Sequence, residues 1–318
     1  AKDSTYLLEP FLTKHRVTHI RATVKELLKD KAVLNDDGNK VIEFDVCLVA
    51  VGAPIPWSAG GNGLPQGYDG SRDNRLVKLQ QEGEKITNSK HVVVIGGGLI
   101  GAEVAGDIAA YSKNETKVTL VHSGDTLCHQ GVVRAAAGKM IERQLTKGGV
   151  DVVLQEKATI QDGGRVVLNN SGKELHADHV IRTTGLVPKN EFVRIEGALN
   201  ERGFLITDDF LLVEGGEGRV FGFGDCCTAL RNAGTELLEN QYILGHNIKA
   251  ALDKRSDNYK EVKPFLEGAV VTTGPNSGVA QTPFFHTQFL IPGHVLFSCR
   301  ADTWYKASIG HEIPCKFL

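Results

Sequence analysis

The sequence predicts an α/β fold with a parallel sheet at its centre. The apolar run "HVVVI" has the length of a buried strand, and the turn Gly96–Gly101 and a helical stretch follow it at once. Strands and helices then alternate up to about residue 190, which is typical of a parallel α/β core. A third signal is the strand "GRVFGF", which ends at Gly224-Asp225, where α/β folds place ligand-binding groups.

The composition is that of an ordinary globular protein. The chain has 318 residues, a formal net charge of -2, 41% hydrophobic and 23% charged residues, which suits two or three domains. It lacks the basic excess of nucleic-acid-binding proteins and has no apolar run of about 18 residues that would span a membrane. None of the six cysteines forms a C-x-x-C motif. We therefore expect no nucleic-acid partner, no metal site and an intracellular setting with reduced thiols.

The stretch before residue 91 contains mainly strand signals. A short helix precedes a strand predicted from Val17, and Asp37-Gly38 between two apolar runs predicts a hairpin. The continuous apolar run "DVCLVAVGA" predicts a buried strand that ends at Gly52. Helical spacing in "RDNRLVKLQQEGEKI" predicts a helix just before the strand "HVVVI".

The stretch after the fingerprint begins with a helix predicted from about Leu99 to Tyr111. The strand "KVTLVHS" follows, and "VVRAAAGKMIERQLTKGG" predicts a helix with a Gly-Gly stop. Further strands and a helix are predicted in "VDVVLQ", "ATIQDGGRVVLNN", "ADHVIRTTGL" and "ELLENQYILGHNIKAALDK". From about Tyr259 short β-like runs predict a small C-terminal α+β unit.

The turn "GGGLIG" has the G-x-G-x-x-G spacing of a nucleotide-binding fingerprint. Gly96 allows a tight turn, Gly98 lets a pyrophosphate approach the backbone, and Gly101 lets the helix pack close to the sheet. The phosphate would meet free N–H groups at the helix N-terminus, where the fingerprint residue Ile100 also lies. A glycine-rich structural turn is the alternative.

The residue at the end of the next strand bears on the choice of nicotinamide cofactor. An acid at that position binds the ribose 2′-hydroxyl of NAD, but this chain has His122 there. A histidine can donate to a hydroxyl or, when protonated, favour a phosphate, so both NADH and NADPH stay open. His122 as a plain strand end is the other interpretation.

Gly224-Asp225 would present a carboxylate at the end of a strand, although Asp after Gly also caps helices and makes turns. The adjacent Cys226 and Cys227 suggest a redox pair, but a disulfide between neighbouring residues is strained. We expect two small buried hydrophobic residues instead.

Four stretches in order, "FDVCLVAVGA", "VVVIGGGLIGAEVAGDI", "VIRTTGLVPKN" and "GRVFGFGDC", resemble the flavin-dependent pyridine-nucleotide oxidoreductases. The stretches "KVTLVHS", "NQYILGHNIKAAL" and "PNSGVAQTPFF" look like its apoptosis-inducing-factor-like branch, which contains ferroptosis suppressor protein and is related to type II NADH dehydrogenases. The resemblance implies two interleaved Rossmann-like domains, one for FAD and one for NAD(P)H. It also implies hydride transfer from NAD(P)H to FAD and then to a quinone.

The resemblance also implies roles for single residues. Asp225 would bind the FAD ribityl chain, and Glu103 would face the nicotinamide and the flavin, unless it only favours the helix dipole. Lys306 resembles a lysine near the quinone, although one extra residue separates it from Trp304. The full set of implied or predicted cofactor-binding residues is Gly52, Gly96, Gly98, Ile100, Gly101, Glu103, His122, Gly185, Gly224 and Asp225.

One part of the family pattern is missing. No strand–G-x-G-x-x-G–helix unit for the FAD pyrophosphate precedes residue 91. Three explanations stay open: a fragment of a longer product, a partner chain that supplies the unit, or a flavin-less relative. The expected domains are an incomplete FAD segment with a linker helix (1–84), an NAD(P)-binding domain (85–190), an FAD-domain return segment (191–257) and a small C-terminal domain (258–318).

Two functions follow as hypotheses. The first is an FAD-dependent NAD(P)H:quinone oxidoreductase, and the alternative is a flavin-less NAD(P)-binding or structural subunit with a decayed or split active site. The apolar stretch "HTQFLIPGHVLF" suggests peripheral contact with a mitochondrial or cytoplasmic membrane, although the same residues also suit a core.

Overall fold

The computed structural model describes residues 9–36, 38–54, 71–112, 115–128, 133–229, 234–263, 269–281 and 286–289. The chain divides into two compact units. Unit 1 contains the described residues of 55–185 and 266–318, and unit 2 contains those of 8–54 and 186–265. The chain therefore passes back and forth between the units, which confirms the interleaving that the family resemblance implies.

The secondary structure alternates as the sequence predicts through the middle of the chain. The helices are α1 (Glu9–Lys14), α2 (Arg72–Asn88), α3 (Leu99–Tyr111), α4 (Ala135–Lys147) and α5 (Gly234–Leu252). The strands are β1 (Val24–Leu27), β2 (Lys31–Leu34), β3 (Val41–Glu43), β4 (Cys47–Val49), β5 (His91–Ile95), β6 (Lys117–Val121), β7 (Val150–Val153), β8 (Ala158–Ile160), β9 (Arg165–Leu168), β10 (Glu174–His176), β11 (His179–Arg182), β12 (Val220–Gly222), β13 (Ala269–Thr272), β14 (Gly278–Gln281) and β15 (His286–Phe289). None of the described helices has both the length and the apolar character needed to cross a membrane.

A four-stranded parallel sheet forms the centre of unit 1, with the order β11-β5-β6-β7. Its strand β5 is apolar on both faces because both faces are covered. Val92 and Val94 pack with α3 and α4, while Val93 and Ile95 pack towards the antiparallel sheet β8-β9-β10. The predicted parallel core is therefore confirmed, and α3 begins and ends at the predicted residues.

The strands β13, β14 and β15 form an antiparallel sheet that also belongs to unit 1. Val271 and Val279 are buried in the same apolar cluster as α3 and α4. The Gln144 amide of α4 donates to the Gly278 carbonyl (3.1 Å), and Gln281 accepts from the Arg134 backbone N–H (2.7 Å). The sequence predicts a small C-terminal domain over residues 258–318, and the described strands of that stretch cover the apolar side of α3 and α4. The bounds of this domain stay a prediction.

Unit 2 contains the antiparallel sheet β1-β2-β3, whose hairpin β2–β3 confirms the turn predicted near Gly38. Asp37 itself lies outside the described residues. The strand predicted from Val17 begins only at Val24, where pairing with Leu34 starts. Val17 and Ile20 are 49% and 41% exposed, so the apolar residues that suggested an earlier start are not packed in a core.

The parallel strands β4 and β12 pair with each other in unit 2. Leu48 of β4 lies opposite Phe221 of β12, on the face where Phe221 packs in one cluster with Leu244 of α5. Phe221 is fully buried, but Leu48 is 41% exposed. The prediction of a buried strand in "DVCLVAVGA" is therefore wrong for this face, because the cluster around α5 buries β12 and leaves Leu48 of β4 partly open.

Two buried asparagines on α5 hold the segment that follows this helix. The Asn247 amide donates to the carbonyls of Phe210 (3.0 Å) and Lys260 (2.8 Å), and its oxygen accepts from the Lys260 N–H (2.8 Å). Asn240, two turns earlier, forms the same reciprocal pair with Lys263. Each side chain thus pairs with the extended segment as a neighbouring strand would, and satisfies partly buried backbone groups beside the helix.

We predict that Asn247→Ala lowers the free energy of unfolding by about 1–3 kcal/mol, because it removes three hydrogen bonds between a buried amide and partly buried backbone groups. Urea denaturation followed by circular dichroism measures the change. Tyr242→Ala is the matched control, since Tyr242 lies on the same helix, is 68% exposed, and should change stability by no more than about 0.5 kcal/mol. Equal stabilities for the two variants would contradict the role of Asn247.

Candidate functional site

The fingerprint turn lies between the end of β5 and the start of α3. Gly96 has φ +113°, and a Cβ there would lie 2.6 Å from the Thr183 carbonyl oxygen. A Cβ at Gly101 would overlap the Gly96 carbonyl oxygen and come within 2.6 Å of Thr183 Oγ1. Both glycines are therefore required by the protein's own packing, as the fingerprint predicts.

Thr183 fixes this turn from the neighbouring strand β11. Its hydroxyl donates to the Gly96 carbonyl (2.7 Å) and lies 3.2 Å from the Ile95 carbonyl. In the sequence Thr183 lies in a predicted strand, and no motif gives it a role. A role for Thr183 could have been predicted from its position just beyond β11, the strand next to β5 in the sheet.

Gly98 differs from the other two glycines because no described residue lies within 4 Å of a Cβ added there. It is the N-cap of α3 and has ordinary extended dihedral angles (φ -74°, ψ -173°). No side chain caps the helix at this residue, and Ile100 in the first turn is 38% exposed. The open space at a helix N-terminus suits a pyrophosphate, so the residues present fit an NAD(P)H cofactor.

His122 lies directly under the fingerprint turn and is 6% exposed. Its Nδ1 accepts from the Gly97 backbone N–H (3.2 Å). Burial lowers the pKa of the ring, while a hydrogen bond with the Thr126 backbone opposes this shift, so the neutral form is favoured. The imidazole thus stabilises the fingerprint turn through the Gly97 N–H. A contact between His122 and the ribose of a nucleotide stays a prediction.

Glu103 lies in the first half of α3 and is directed towards β13. Its Oε1 accepts from the backbone N–H and the hydroxyl of Thr272, each at 3.3 Å. Burial raises the pKa of this carboxyl, the charge of Asp107 one turn later adds to the increase, and the Thr272 hydrogen bonds oppose it. The structure thus gives Glu103 a polar partner within unit 1, and its role at a nicotinamide stays a prediction.

A second group of predicted residues lies in unit 2, at the carboxyl ends of β4 and β12. Gly52 follows β4 with φ +68°, Gly224 follows β12 with φ +87°, and a Cβ at either would meet no described residue within 4 Å. The partly buried Asp225 has a pKa raised by burial, and no hydrogen bond to its carboxylate is present among the described residues. An unpaired carboxylate at the end of parallel strands fits the hydroxyls of an FAD ribityl chain.

The remaining predicted residues are placed as follows. Gly185 has φ +107° and open space around a Cβ, and it lies at the end of unit 1. Lys306 lies outside the described residues. Within the described ranges no cluster of three or more His, Cys, Asp or Glu side chains is arranged to hold a metal ion.

We predict that Glu103→Gln changes the pH dependence of stability. The carboxyl has a raised pKa in the folded protein, so wild-type stability falls as pH rises from the unfolded pKa through the folded pKa. The Gln variant keeps an oxygen that accepts from Thr272 and lacks this fall. Urea denaturation should therefore show the variant gaining stability over wild type at neutral pH, and no gain below the unfolded pKa. The same difference at both pH values would contradict the assignment of a raised pKa.

Comparisons with known proteins agree with this geometry. The profile of a family described as pyridine nucleotide-disulphide oxidoreductase matches residues 8–245. The chain is 30% identical over 60% of its length to oxidoreductase ptaL of Pestalotiopsis fici, covering 53% of that protein. It is 25% identical over 81% of its length to apoptosis-inducing factor 1 of Saccharomyces cerevisiae, covering 72% of it. Ferroptosis suppressor protein 1 of Xenopus laevis is 27% identical over 77% of the chain, with 66% of that protein covered.

A solved ferredoxin reductase of Rhodopseudomonas palustris shares the fold, with a TM-score of 0.62 and 19% identity over 87% of this chain and 67% of that one. The alignments thus cover between 53% and 72% of the three curated relatives. The family uses FAD and NAD(P)H, the cofactors that the resemblance implies. Because the matched region includes the fingerprint of unit 1 and Gly224-Asp225 of unit 2, the chain belongs to the pyridine nucleotide-disulphide oxidoreductase family.

Proposed function

We propose that this chain acts in an FAD-dependent NAD(P)H oxidoreductase whose electron acceptor is a quinone. The observation that carries the proposal is the open N-terminus of α3 at Gly98, the one fingerprint glycine at which an added Cβ would meet none of the described residues. A ligand that approaches the backbone at residue 98 explains why this residue is a glycine. The helix dipole and the free N–H groups make that ligand an anion, as a pyrophosphate is.

The flavin part of the proposal is supported by unit 2. Asp225 offers a carboxylate that no described residue hydrogen-bonds, and Gly52 and Gly224 leave space among the described residues at the same edge of the β4–β12 pair. These residues would bind and orient the ribityl chain of FAD through hydrogen bonds to its hydroxyls. When bound, FAD supplies the two-electron carrier that accepts a hydride from NAD(P)H and passes electrons to a quinone.

The quinone and the location have separate support. The quinone rests on the resemblance to the apoptosis-inducing-factor-like branch. We propose a peripheral location at a mitochondrial or cytoplasmic membrane surface, on the basis of the apolar stretch at residues 286–297. Lys306 is the residue that we propose near the acceptor, again from the resemblance alone.

A second candidate is a flavin-less NAD(P)-binding or structural subunit that completes its sheet with a partner chain. The favouring observation is the edge of β4, since β12 is its only strand partner within the described residues. Leu48 and Val51 leave 41% and 57% of their surface exposed beside this edge. Parallel sheets usually have both faces covered by helices. A further strand at the free edge of β4, followed by its own helix, would cover the exposed face beside Leu48.

The fingerprint provides a pair of variants that separates binding from folding. We predict that Gly98→Val lowers NAD(P)H affinity at least about tenfold, equivalent to about 1.4 kcal/mol, while stability changes by no more than about 0.5 kcal/mol. Gly101→Ala should instead lower stability by at least about 2 kcal/mol, because its methyl group overlaps the Gly96 carbonyl. Isothermal titration calorimetry measures the affinity, and thermal unfolding measures the stability.

Wild-type affinity in Gly98→Val would contradict a pyrophosphate site at α3. The Gly101→Ala variant serves as the control that shows the stability assay detects a real packing defect at the same turn.

The flavin distinguishes the two candidate functions. We predict that the purified protein takes up FAD, and that its visible absorbance bleaches when NAD(P)H is added without oxygen. Asp225→Ala should retain less flavin at equal FAD concentration. Asp253→Ala is the control in unit 2, because Asp253 makes an exposed ion pair with Lys249 and should leave flavin uptake unchanged. A folded protein that binds NAD(P)H but takes up no FAD would favour the second candidate.

A further inference from the structure

The chain from His122 to Cys128, here called the β6 loop, follows β6 and lies beside the fingerprint turn. The Cys128 backbone N–H donates to the Gly97 carbonyl (2.8 Å), and His122 Nδ1 accepts from the Gly97 N–H (3.2 Å). Both ends of the loop are therefore fixed to the turn. In a dinucleotide-binding fold the ribose 2′ position of the cofactor lies at the end of this strand. The charges of the β6 loop thus bear on the choice between NADH and NADPH, which the sequence leaves open.

The ring of His122 is packed between the turn and the β6 loop. A Cβ at Gly97 would lie 2.8 Å from Cβ and Cγ of His122, and a Cβ at Gly124 would lie 2.8 Å from its Nε2. Both neighbours are glycines, so the backbone approaches the imidazole closely on each side. The ring is therefore a fixed part of the protein's own packing.

The hydrogen bond with Gly97 also determines the charge of the ring. Nδ1 accepts from an N–H only while it carries no proton, and an imidazolium carries a proton on both nitrogens. Burial of His122 lowers the pKa of the ring and acts in the same direction. His122 therefore offers no positive charge that could pair with a 2′-phosphate.

The β6 loop carries a carboxylate and no cation. It contains Asp125 and neither Lys nor Arg. Asp125 is exposed and forms no ion pair among the described residues, and its charge acts on the neighbouring ring of His122. The loop therefore presents a free negative charge beside the fingerprint turn.

The chain that leaves β7 runs next to the β6 loop. The Gln155 N–H donates to the Gly124 carbonyl (2.9 Å), and the Glu156 N–H donates to the His122 carbonyl (3.0 Å). The Glu156 carboxylate accepts from the backbone N–H groups of residues 170 and 171, each at 2.9 Å, and hydrogen bonds of this kind lower its pKa. Lys157, the next residue, is the first cation after β7. The two carboxylates at positions 125 and 156 outnumber this single lysine, so the surroundings of the loop are negative.

We propose that this chain binds NADH in preference to NADPH, and that Asp125 is the residue that selects between them. The inference rests on the NAD(P)H site proposed at Gly98. A carboxylate accepts a hydrogen bond from the ribose 2′-hydroxyl of NADH, and it repels the 2′-phosphate of NADPH. The neutral His122 leaves that phosphate without a compensating cation on the loop.

Asp125 takes the role of the acid that usually ends this strand in NAD-binding folds. His122 occupies the usual position, and its Nδ1 is used to hold the turn. Asp125 lies three residues later, in a loop that is fixed at both ends. The carboxylate is therefore held near the same end of β6 by the backbone around it.

Isothermal titration calorimetry of the full chain with NADH and with NADPH tests the inference. We expect wild type to bind NADH at least about tenfold more tightly, because only NADH gains a hydrogen bond to a charged group and avoids a like-charge contact. Asp125→Asn should reduce this ratio at least about threefold, since the amide removes the repulsion. Asp125→Arg should reverse the preference, because a guanidinium pairs with a phosphate.

Glu115→Gln is the matched control. Glu115 is an exposed carboxylate that precedes the opposite end of β6, and its removal changes the net charge as Asp125→Asn does. It should leave the ratio of affinities within about twofold of wild type. Equal affinities of wild type for the two nucleotides would overturn the inference and leave the proposed nucleotide site in place. A shift in Glu115→Gln as large as that in Asp125→Asn would also overturn it. If neither nucleotide binds, the proposed site itself is wrong, and the inference fails with it.

Discussion

The close approach of α3 to β5 is the contact on which the candidate site depends. Gly101 rests against the Gly96 carbonyl oxygen, and the Thr183 hydroxyl donates to that same oxygen. No side chain fits between the helix and the turn. The N-terminus of α3 is therefore fixed close to the end of β5. Gly98 is the fingerprint glycine with space for a ligand beside its backbone. His122 supports the turn from the other side through the Gly97 N–H, so the loop is fixed before any ligand arrives.

Much of unit 1 follows from local signals. The run from His91 to Ile95 is apolar at every position after the first, as a strand covered on both faces must be, and the glycines mark where it turns into a helix. The bounds of α3 and the stop of α4 at Gly148 follow from the same kind of local preference. That the ends of β4 and β12 form a ligand-binding edge stays a prediction.

Other features depend on partners that are distant in sequence. The exposure of Leu48 depends on which strand α5 covers, and nothing within "DVCLVAVGA" specifies this. The hydrogen bonds between Glu103 and Thr272 join residues of unit 1 that are far apart in sequence. Asn240 and Asn247 fit the pattern of any amphipathic helix, and only the path of residues 259–263 shows that their amides pair with backbone. Periodicity locates such residues but does not identify their partners.

The interleaved chain path has a consequence for folding during synthesis. The strands β5, β6, β7 and β11 are contiguous enough to assemble as soon as residue 182 has left the ribosome. Strand β4 is made much earlier, yet its partner among the described strands, β12, emerges only around residue 222, and closing so long a loop is slow. β4 therefore stays without this partner while the inserted strands of unit 1 fold. An apolar strand without its partner is open to capture by chaperones or to aggregation during that interval.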